Sequence, residues 1–312
     1  MKILTSLAEH HYFLGLSALI NSVVKNGTYV DKIIIGYRGP LPRWLPPLKT
    51  TERGQSCTLT SGLEMELIEM KKNVHMVHEK PKWFQYVSEV LEPDASEFFF
   101  FDSDIVILNR MSFFGEWVEE GVALCEDVNN DMNHDHPIRK QWVSLAQQEG
   151  CTITNPHICG YYNSGFIGWT RENAGFIDDW VKSFDILAQK SGDMRWARVQ
   201  DRTHTVLSTN QDSLNLAAMI TRYPISTIGP EAMGFRFGLS LMSHPIGSKP
   251  WKRSFVKEFM KGVPPRVSDV IFWENISGTE LQPCSISQAK RRAVLCKSLR
   301  GMARFYKREY SA

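Results

Sequence analysis

No run of about 18 apolar residues occurs in this chain of 312, so no segment reads as a helix that spans a bilayer. No Cys-x-x-Cys pair occurs among Cys57, Cys125, Cys151, Cys159, Cys284 and Cys296. That argues against a zinc ribbon or a dithiol redox motif and predicts free thiols in a reducing compartment. The first residues lack a basic segment followed by a long apolar run and a small-residue cleavage site. Lys2-Ile3-Leu4-Thr5-Ser6-Leu7 starts a strand-like pattern almost at once, so no signal peptide is expected. Without one, Asn26-Gly27-Thr28 and Asn275-Ile276-Ser277 read as chance matches to the glycosylation pattern. There is no internal repeat, low-complexity tract or clear linker. Acidic residues are nearly missing from the end of the chain: residues 287–312 hold eight Lys or Arg and only Glu309 as an acid.

Apolar residues make up 43% of the chain and charged residues 22%, as in ordinary globular proteins. The net charge of +2 hides an uneven distribution. The last 26 residues carry +7, so the remainder is mildly acidic at −5.

Alternating patterns predict an α/β protein. Residues 2–7 read as a strand. Phe13, Leu16, Ile20 and Val24 recur at helical spacing until Asn26-Gly27, and 31–36 read as a second buried strand. This β-α-β opening favours a parallel sheet with helices on its faces. Residues 39–62, rich in Pro, Gly, Ser and Thr, read as a loop or insertion. Residues 63–67 alternate apolar and acidic side chains, as in a half-exposed strand. Helices are expected at 83–91, 172–188 and 211–221, and further strands at 98–108 (with a turn), 121–124 and 166–169.

The most informative segment is Phe98-Phe99-Phe100-Phe101-Asp102-Ser103-Asp104, followed by Ile105-Val106-Ile107-Leu108. A buried strand ends where two carboxylates lie two residues apart, which in extended chain places them on one side. Carboxylates that close repel unless they share a proton or hold a cation, and a divalent metal is the simplest remedy. Asp and Ser are also ordinary turn residues, so this segment alone leaves a plain turn open. In open α/β sheets, ligands bind beyond the carboxyl ends of strands. Glu9-His10-His11-Tyr12, Asp102-Ser103-Asp104, Glu126-Asp127 and His244 all follow apolar strand-like runs. His244-Pro245-Ile246-Gly247-Ser248-Lys249-Pro250-Trp251 adds an imidazole, a glycine that admits close backbone approach and a compact cation, the parts needed to hold a metal diphosphate. A Pro/Gly loop with Trp251 in the core is the plainer reading.

Asp102-Ser103-Asp104, Tyr162-Asn163-Ser164-Gly165-Phe166, Asn210-Gln211-Asp212-Ser213-Leu214-Asn215 and His244-x-x-Gly247-x-Lys249-Pro250-Trp251 occur in that order. Together they resemble glycosyltransferase family 8, which includes bacterial lipooligosaccharide galactosyltransferases and glycogenin, over about residues 2–252. The resemblance implies the GT-A fold, a Rossmann-like nucleotide-diphospho-sugar transferase fold with a mostly parallel central sheet. It implies a catalytic domain over 1–255 and leaves 256–312 as a basic helical extension.

The resemblance also implies a metal-dependent, retaining transfer of a hexose from a UDP-sugar to a saccharide or lipid-linked acceptor. Asp102, Asp104 and His244 would be metal ligands. That mixed oxygen and nitrogen set suits Mn2+ better than Mg2+, which remains the alternative. Lys249 and Gly247 would hold the diphosphate, and Ser103 would lie near the ribose. Leu7, Glu9 and Tyr12 would line the nucleotide site, and Lys80 would contact the donor. Asp127, Asn163 and Ser164 would meet the sugar, with Gln211 and Asp212 beneath its anomeric carbon. Asn210 stands where the family often has Asp, Glu9-His10-His11 where it has Asp and Asn, and Lys80 where close relatives have Arg.

Charge separation suggests the mechanism. A metal and Lys249 would stabilise the leaving diphosphate. Gln211 is a poor nucleophile, which favours attack on the face the diphosphate leaves. Two other classes compete. Asp102-Ser103-Asp104-Ile105-Val106 also fits a haloacid-dehalogenase phosphatase with Asp102 as nucleophile, and the departures from the family pattern fit an inactive sugar-nucleotide binder.

Leu295, Leu299, Met302 and Tyr306 fall on one helical stripe among the basic residues of 287–312. This is the pattern of a helix lying on an anionic membrane, and it predicts a cytoplasmic protein held peripherally on the inner face. A terminal helix docked on its own domain is the alternative. No aromatic-basic groove motif points to nucleic acid.

Overall fold

The computed structural model describes residues 1–71, 74–130, 132–199, 201 and 203–305. In chain order the elements are β1 (Lys2–Glu9), α1 (Phe13–Lys25), β2 (Lys32–Arg38), β3 (Lys49–Thr50), β4 (Gln55–Thr58), β5 (Glu64–Glu69) and α2 (Lys80–Tyr86). There follow β6 (Glu97–Phe101), β7 (Val106–Ile107), α3 (Met111–Glu119), β8 (Val122–Glu126), α4 (Pro137–Gln148), β9 (Tyr162–Thr170) and α5 (Gly175–Ala188). The chain closes with α6 (Thr209–Ile220), β10 (Ile225–Ile228), β11 (Met242–Ser243), α7 (Phe255–Met260), α8 (Val267–Asn275) and α9 (Ile286–Ala303).

Nine strands form one sheet in the order β10-β8-β9-β6-β1-β2-β5-β4-β3. Its centre, β6-β1-β2-β5, is parallel, and only β9 and β4 run against the common direction. Helices cover both faces. On one, α1 and α3 pack over Leu4, Ile33, Ile35, Phe99 and Phe101. On the other, α2, α5 and α6 cover Ile3, Ile34, Phe98, Phe100 and Ile167. The four phenylalanines of β6 therefore divide two and two between the layers, because successive side chains of a strand point to opposite faces. A strand covered on both faces reads as one unbroken apolar run.

Three expectations change. Residues 39–62 are not wholly loop, since β3 and β4 form a hairpin that extends the sheet edge. The alternating segment at 63–67 is not half-exposed. Glu66 is buried and ion-paired with Lys32 at 2.9 Å, and Lys32 also binds Glu92 at 2.7 Å. A long ammonium reaching two buried carboxylates is invisible to a polarity pattern. The third change concerns the tail. Leu299 and Leu295 of α9 pack with Phe255, Phe259 and Val270, so the stripe drawn through them is largely used within the protein. Met302 remains half exposed, and Tyr306 lies outside the described residues. A second seam joins Ala18, Val106, Phe272, Ile276 and Ala289. There Asn21 of α1 donates to the carbonyls of Asn275 (3.1 Å) and Leu281 (2.9 Å). The helices after residue 255 thus form an integral layer against α1. No helix among the described residues is long and apolar enough to cross a membrane.

Candidate functional site

Strands β1, β6 and β8 each end in polar residues at the same edge of the sheet: Glu9, Asp102 and Glu126-Asp127. After β6 the chain turns sharply, with the Ile105 N–H bonded to the Asp102 carbonyl at 2.9 Å and the Asp102 N–H to the Gly165 carbonyl at 2.7 Å. The turn delivers Ile105, Val106 and Ile107 back into the core. It leaves Asp104 buried and Asp102 partly exposed.

His244 reaches this turn through a small second sheet. β7 pairs antiparallel with β11, Val106 opposite Ser243 and Ile107 opposite Met242. That register sets the residue after Ser243 beside the residues before Val106. His244 Nε2 lies 3.6 Å from Asp104 Oδ1 and 3.9 Å from Asp102 Oδ2. One ligand atom from each of the three residues falls within 4.8 Å of the others, the only such group among the described residues. Two glycines make this packing feasible. A Cβ on Gly165 would lie 2.7 Å from His244 Cε1 and 2.8 Å from Asn163 Oδ1. A Cβ on Gly15 of α1 would meet the Ser103 carbonyl at 2.6 Å and Trp251 at 2.9 Å.

Two lysines balance the two aspartates. Lys80, almost wholly buried, holds Asp102 Oδ1 at 2.7 Å and donates to the Ser164 carbonyl at 2.8 Å. Lys249 binds Asp104 and, at 3.2 Å, the Pro245 carbonyl. Burial pushes the Asp104 carboxyl up, but the Lys249 ammonium beside it outweighs that effect and holds it below the usual carboxylate range. Burial lowers His244, favouring the neutral imidazole that ligates metals. Its Nδ1 is buried with no hydrogen-bond partner. Two carboxylates and an imidazole within one small sphere, with spare lone pairs, fit a divalent cation.

A cleft beside this cluster is lined by Leu7, Glu9, Tyr12, Lys80, Asp102, Ser103, Asp104 and Lys249, all named from sequence. His75, Met76 and Val77 also line it and were missed, since nothing in their local pattern sets them apart. His10, the first residue of the 3-10 turn that leads into α1, has φ +48°, the only positive φ outside glycine among the described residues. Gly247 (φ +73°) shapes the 244–250 loop with open space where a side chain would be.

The remaining residues form a network of amides around one carboxylate, reached from Lys80 through Ser164. Asp127 accepts five hydrogen bonds: the Val128 and Asn129 amides (2.6 Å each), Asn129 Nδ2 (2.7 Å), Asn163 Nδ2 (2.6 Å) and Gln211 Nε2 (2.8 Å). Burial raises its carboxyl, but these donors outweigh the effect and hold it low. Asn210 Nδ2 donates to Ser164 Oγ at 2.7 Å, while its Oδ1 is buried without a partner. Asp212 differs from Gln211. It is fully buried, with Oδ1 accepting from the Tyr161 hydroxyl (2.5 Å) and Oδ2 from the Leu207 (2.6 Å) and Ser208 (2.9 Å) amides at the start of α6. Burial lifts its carboxyl to about 6.

No protein-family model and no curated protein matches the sequence. Solved structures do. The apo structure of the bifunctional glycosyltransferase WbbM superposes with TM-score 0.52 at 13% identity, covering 93% of this chain and 51% of that one. The glycosyltransferase GlyE of Streptococcus pneumoniae TIGR4 superposes with TM-score 0.51 at 13% identity, covering 96% and 64%. The chain thus spans between half and two thirds of the length of these neighbours. Its fold is a glycosyltransferase fold.

Proposed function

We propose that the protein is a divalent-cation-dependent, retaining glycosyltransferase of the family 8 type, moving a hexose from a UDP-sugar to a saccharide or lipid-linked acceptor. The observation that carries this reading is the meeting of Asp102, Asp104 and His244 at the carboxyl edge of the sheet, between two lysines and an amide network. Asp102, Asp104 and His244 would hold the cation, Mn2+ by preference for its mixed donor set. When bound, it supplies Lewis-acid neutralisation of the charge that builds on the leaving diphosphate.

The protein's own groups do the rest. Two lysines already balance two aspartates, so a dianionic diphosphate arriving with a divalent cation leaves the site near neutrality. Lys249, now bonded to Asp104, would donate to the diphosphate, and the open space at Gly247 would admit its oxygens. Leu7, Glu9, Tyr12 and Ser103 line the room left for the nucleoside. Asp127, Asn163 and Ser164 would meet sugar hydroxyls, and a hydroxyl would satisfy the orphaned Asn210 Oδ1.

Gln211 lies among these groups, and Asp212 does not offer a nucleophile. Both of its oxygens are committed and it has no exposed surface, so it orients the start of α6 and thereby Gln211. Asp127 carries five donors and is as poorly placed to attack carbon. Neither Asp127 nor Asp212 thus offers a free oxygen for a covalent sugar intermediate, which favours attack from the face the diphosphate leaves. The phosphatase reading lacks its later acidic pair, since Asp102, Asp104 and His244 are the only candidate metal group among the described residues.

A panel of nucleotide sugars with Mn2+, scored by donor hydrolysis, tests the proposal. Hydrolysis of one UDP-hexose that stops on chelation is expected. Metal-dependent UDP binding with no turnover of any donor would instead identify an inactive binder.

A further inference from the structure

We propose that the face around the mouth of the candidate site, from the 235–240 loop to the start of α8, docks on an anionic lipid bilayer. Nearly half of the large apolar side chains left exposed among the described residues fall between 237 and 267. Phe237 is fully in water and Leu239 is 74% exposed. They project from a loop closed by hydrogen bonds from Phe235 N to the Pro230 carbonyl (3.1 Å) and from Leu241 N to the Ala232 carbonyl (2.9 Å). Phe235 of the same loop lies against the His244 ring, centroids 5.6 Å apart, so the loop that carries the projecting pair abuts the candidate metal ligand.

The segment after His244 continues the pattern. In α7, Phe255 and Phe259 turn inward, while Val256 and Met260, one helical turn apart, stay exposed. Lys257 and Lys261 repeat that spacing one residue on. Arg266 ties this side to the site, donating to the carbonyls of Ile246 and, at 2.5 Å, Ser248. From 236 to 267 the chain carries seven Lys or Arg and one acid, Glu258. Lys249 and Arg253 are engaged with Asp104, Glu258 and Asp269. Arg236, Lys252, Lys257 and Lys261 remain exposed.

The exposed apolar groups are concentrated in this stretch rather than scattered over the chain, which points to an interaction surface. Apolar tips among unpaired cations suit the boundary between headgroups and acyl chains, where lipid phosphates meet the ammonium and guanidinium groups. The apolar stripe of α9, which the sequence pointed to, is largely packed against α7 and α8 and is a poorer candidate. With the rim on the bilayer, the site mouth faces lipid. That consequence rests on the transferase reading and fits a lipid-linked acceptor; the docking itself does not depend on it.

Sedimentation with vesicles of phosphatidylcholine, with and without phosphatidylglycerol, tests the docking. The protein is expected to pellet only with the anionic vesicles and to release as salt rises. The double variants Phe237→Ser/Leu239→Ser and Lys257→Glu/Lys261→Glu should each lose at least about tenfold in vesicle affinity with unchanged thermal unfolding. Lys290→Glu/Arg291→Glu on α9 should bind as the parent does. Parental binding by both rim variants, loss confined to the α9 variant, or no binding by the parent would overturn the proposal. So would a dimer in sedimentation equilibrium that the rim variants abolish, which would assign the face to a second copy. Calorimetry of UDP with Mn2+ reports separately on the transferase reading, so the two can fail independently.

Discussion

Two halves of the site are built on different physics. Around Asp104, charges face charges: two carboxylates, two ammonium groups and an imidazole within a few ångströms. Around Asp127, one carboxylate is surrounded by amides, with Asn129, Asn163 and Gln211 supplying the donors. Under the proposed function the first half would rearrange on binding a cation, each lysine exchanging an aspartate for a phosphate. The second is a fixed array of amides around one carboxylate with Asn210 Oδ1 left open, so it would suit holding a neutral sugar in one orientation. Lys80 joins them, with one contact to Asp102 and one to the Ser164 backbone. A site for an anionic, metal-borne group and a site for an uncharged ring need this difference.

The largest effect should come from breaking the charged half. Asp104→Ala is expected to cut transfer by roughly a thousandfold or more at any Mn2+ concentration, while thermal unfolding shows a folded protein. Full activity of this variant after chelation would refute the assignment. Gly165→Ala strikes the joint between the halves, since the new Cβ must displace both His244 and Asn163. A loss of about ten- to hundredfold in Mn2+ affinity is expected. Unchanged Mn2+ titration would show that His244 is not a ligand.

Asp127→Asn sharpens the contrast from the other side. An amide cannot accept all five hydrogen bonds, so kcat should fall by roughly tenfold or more. Calorimetric UDP affinity should stay at the parental value, and a fall in step with kcat would merge the two halves. The smallest effect is on stability. Burial raises the Asp212 carboxyl to about 6 in the folded state, above its unfolded value. Its contribution is therefore full below the unfolded pKa and is lost as pH rises through about 6. Asp212→Asn should remove that decline, worth about 3 kcal/mol across the interval, in denaturant unfolding series at several pH values. An identical pH profile in the variant would show that Asp212 is ionised at little cost.

Much of the charged half was legible because it is local in sequence. An apolar strand ending in Asp-Ser-Asp, and an imidazole, a glycine and a lysine within six residues, are short-range patterns. Their meeting was not legible from periodicity, because β7 and β11 are two residues long and too short to leave a pattern. The resemblance supplied that link. Glu66 misled because alternating charge usually marks a wet face, and here Lys32 reaches in to pair it. Asp212 read as a neighbour of the chemistry because it follows Gln211. In a helix, consecutive residues point about 100° apart, which sent one toward Asp127 and the other into the core. The tail was ambiguous because an amphipathic stripe does not say whether it faces a membrane or its own domain, and α7 and α8 supply a partner for Leu295 and Leu299.

Anomalous diffraction from crystals grown with Mn2+ and UDP tests the central claim most directly. A single manganese peak bonded to Asp102, Asp104 and His244, with the diphosphate reaching Lys249, is the expected result. Manganese bound elsewhere, or UDP seated away from this edge of the sheet, would contradict the account.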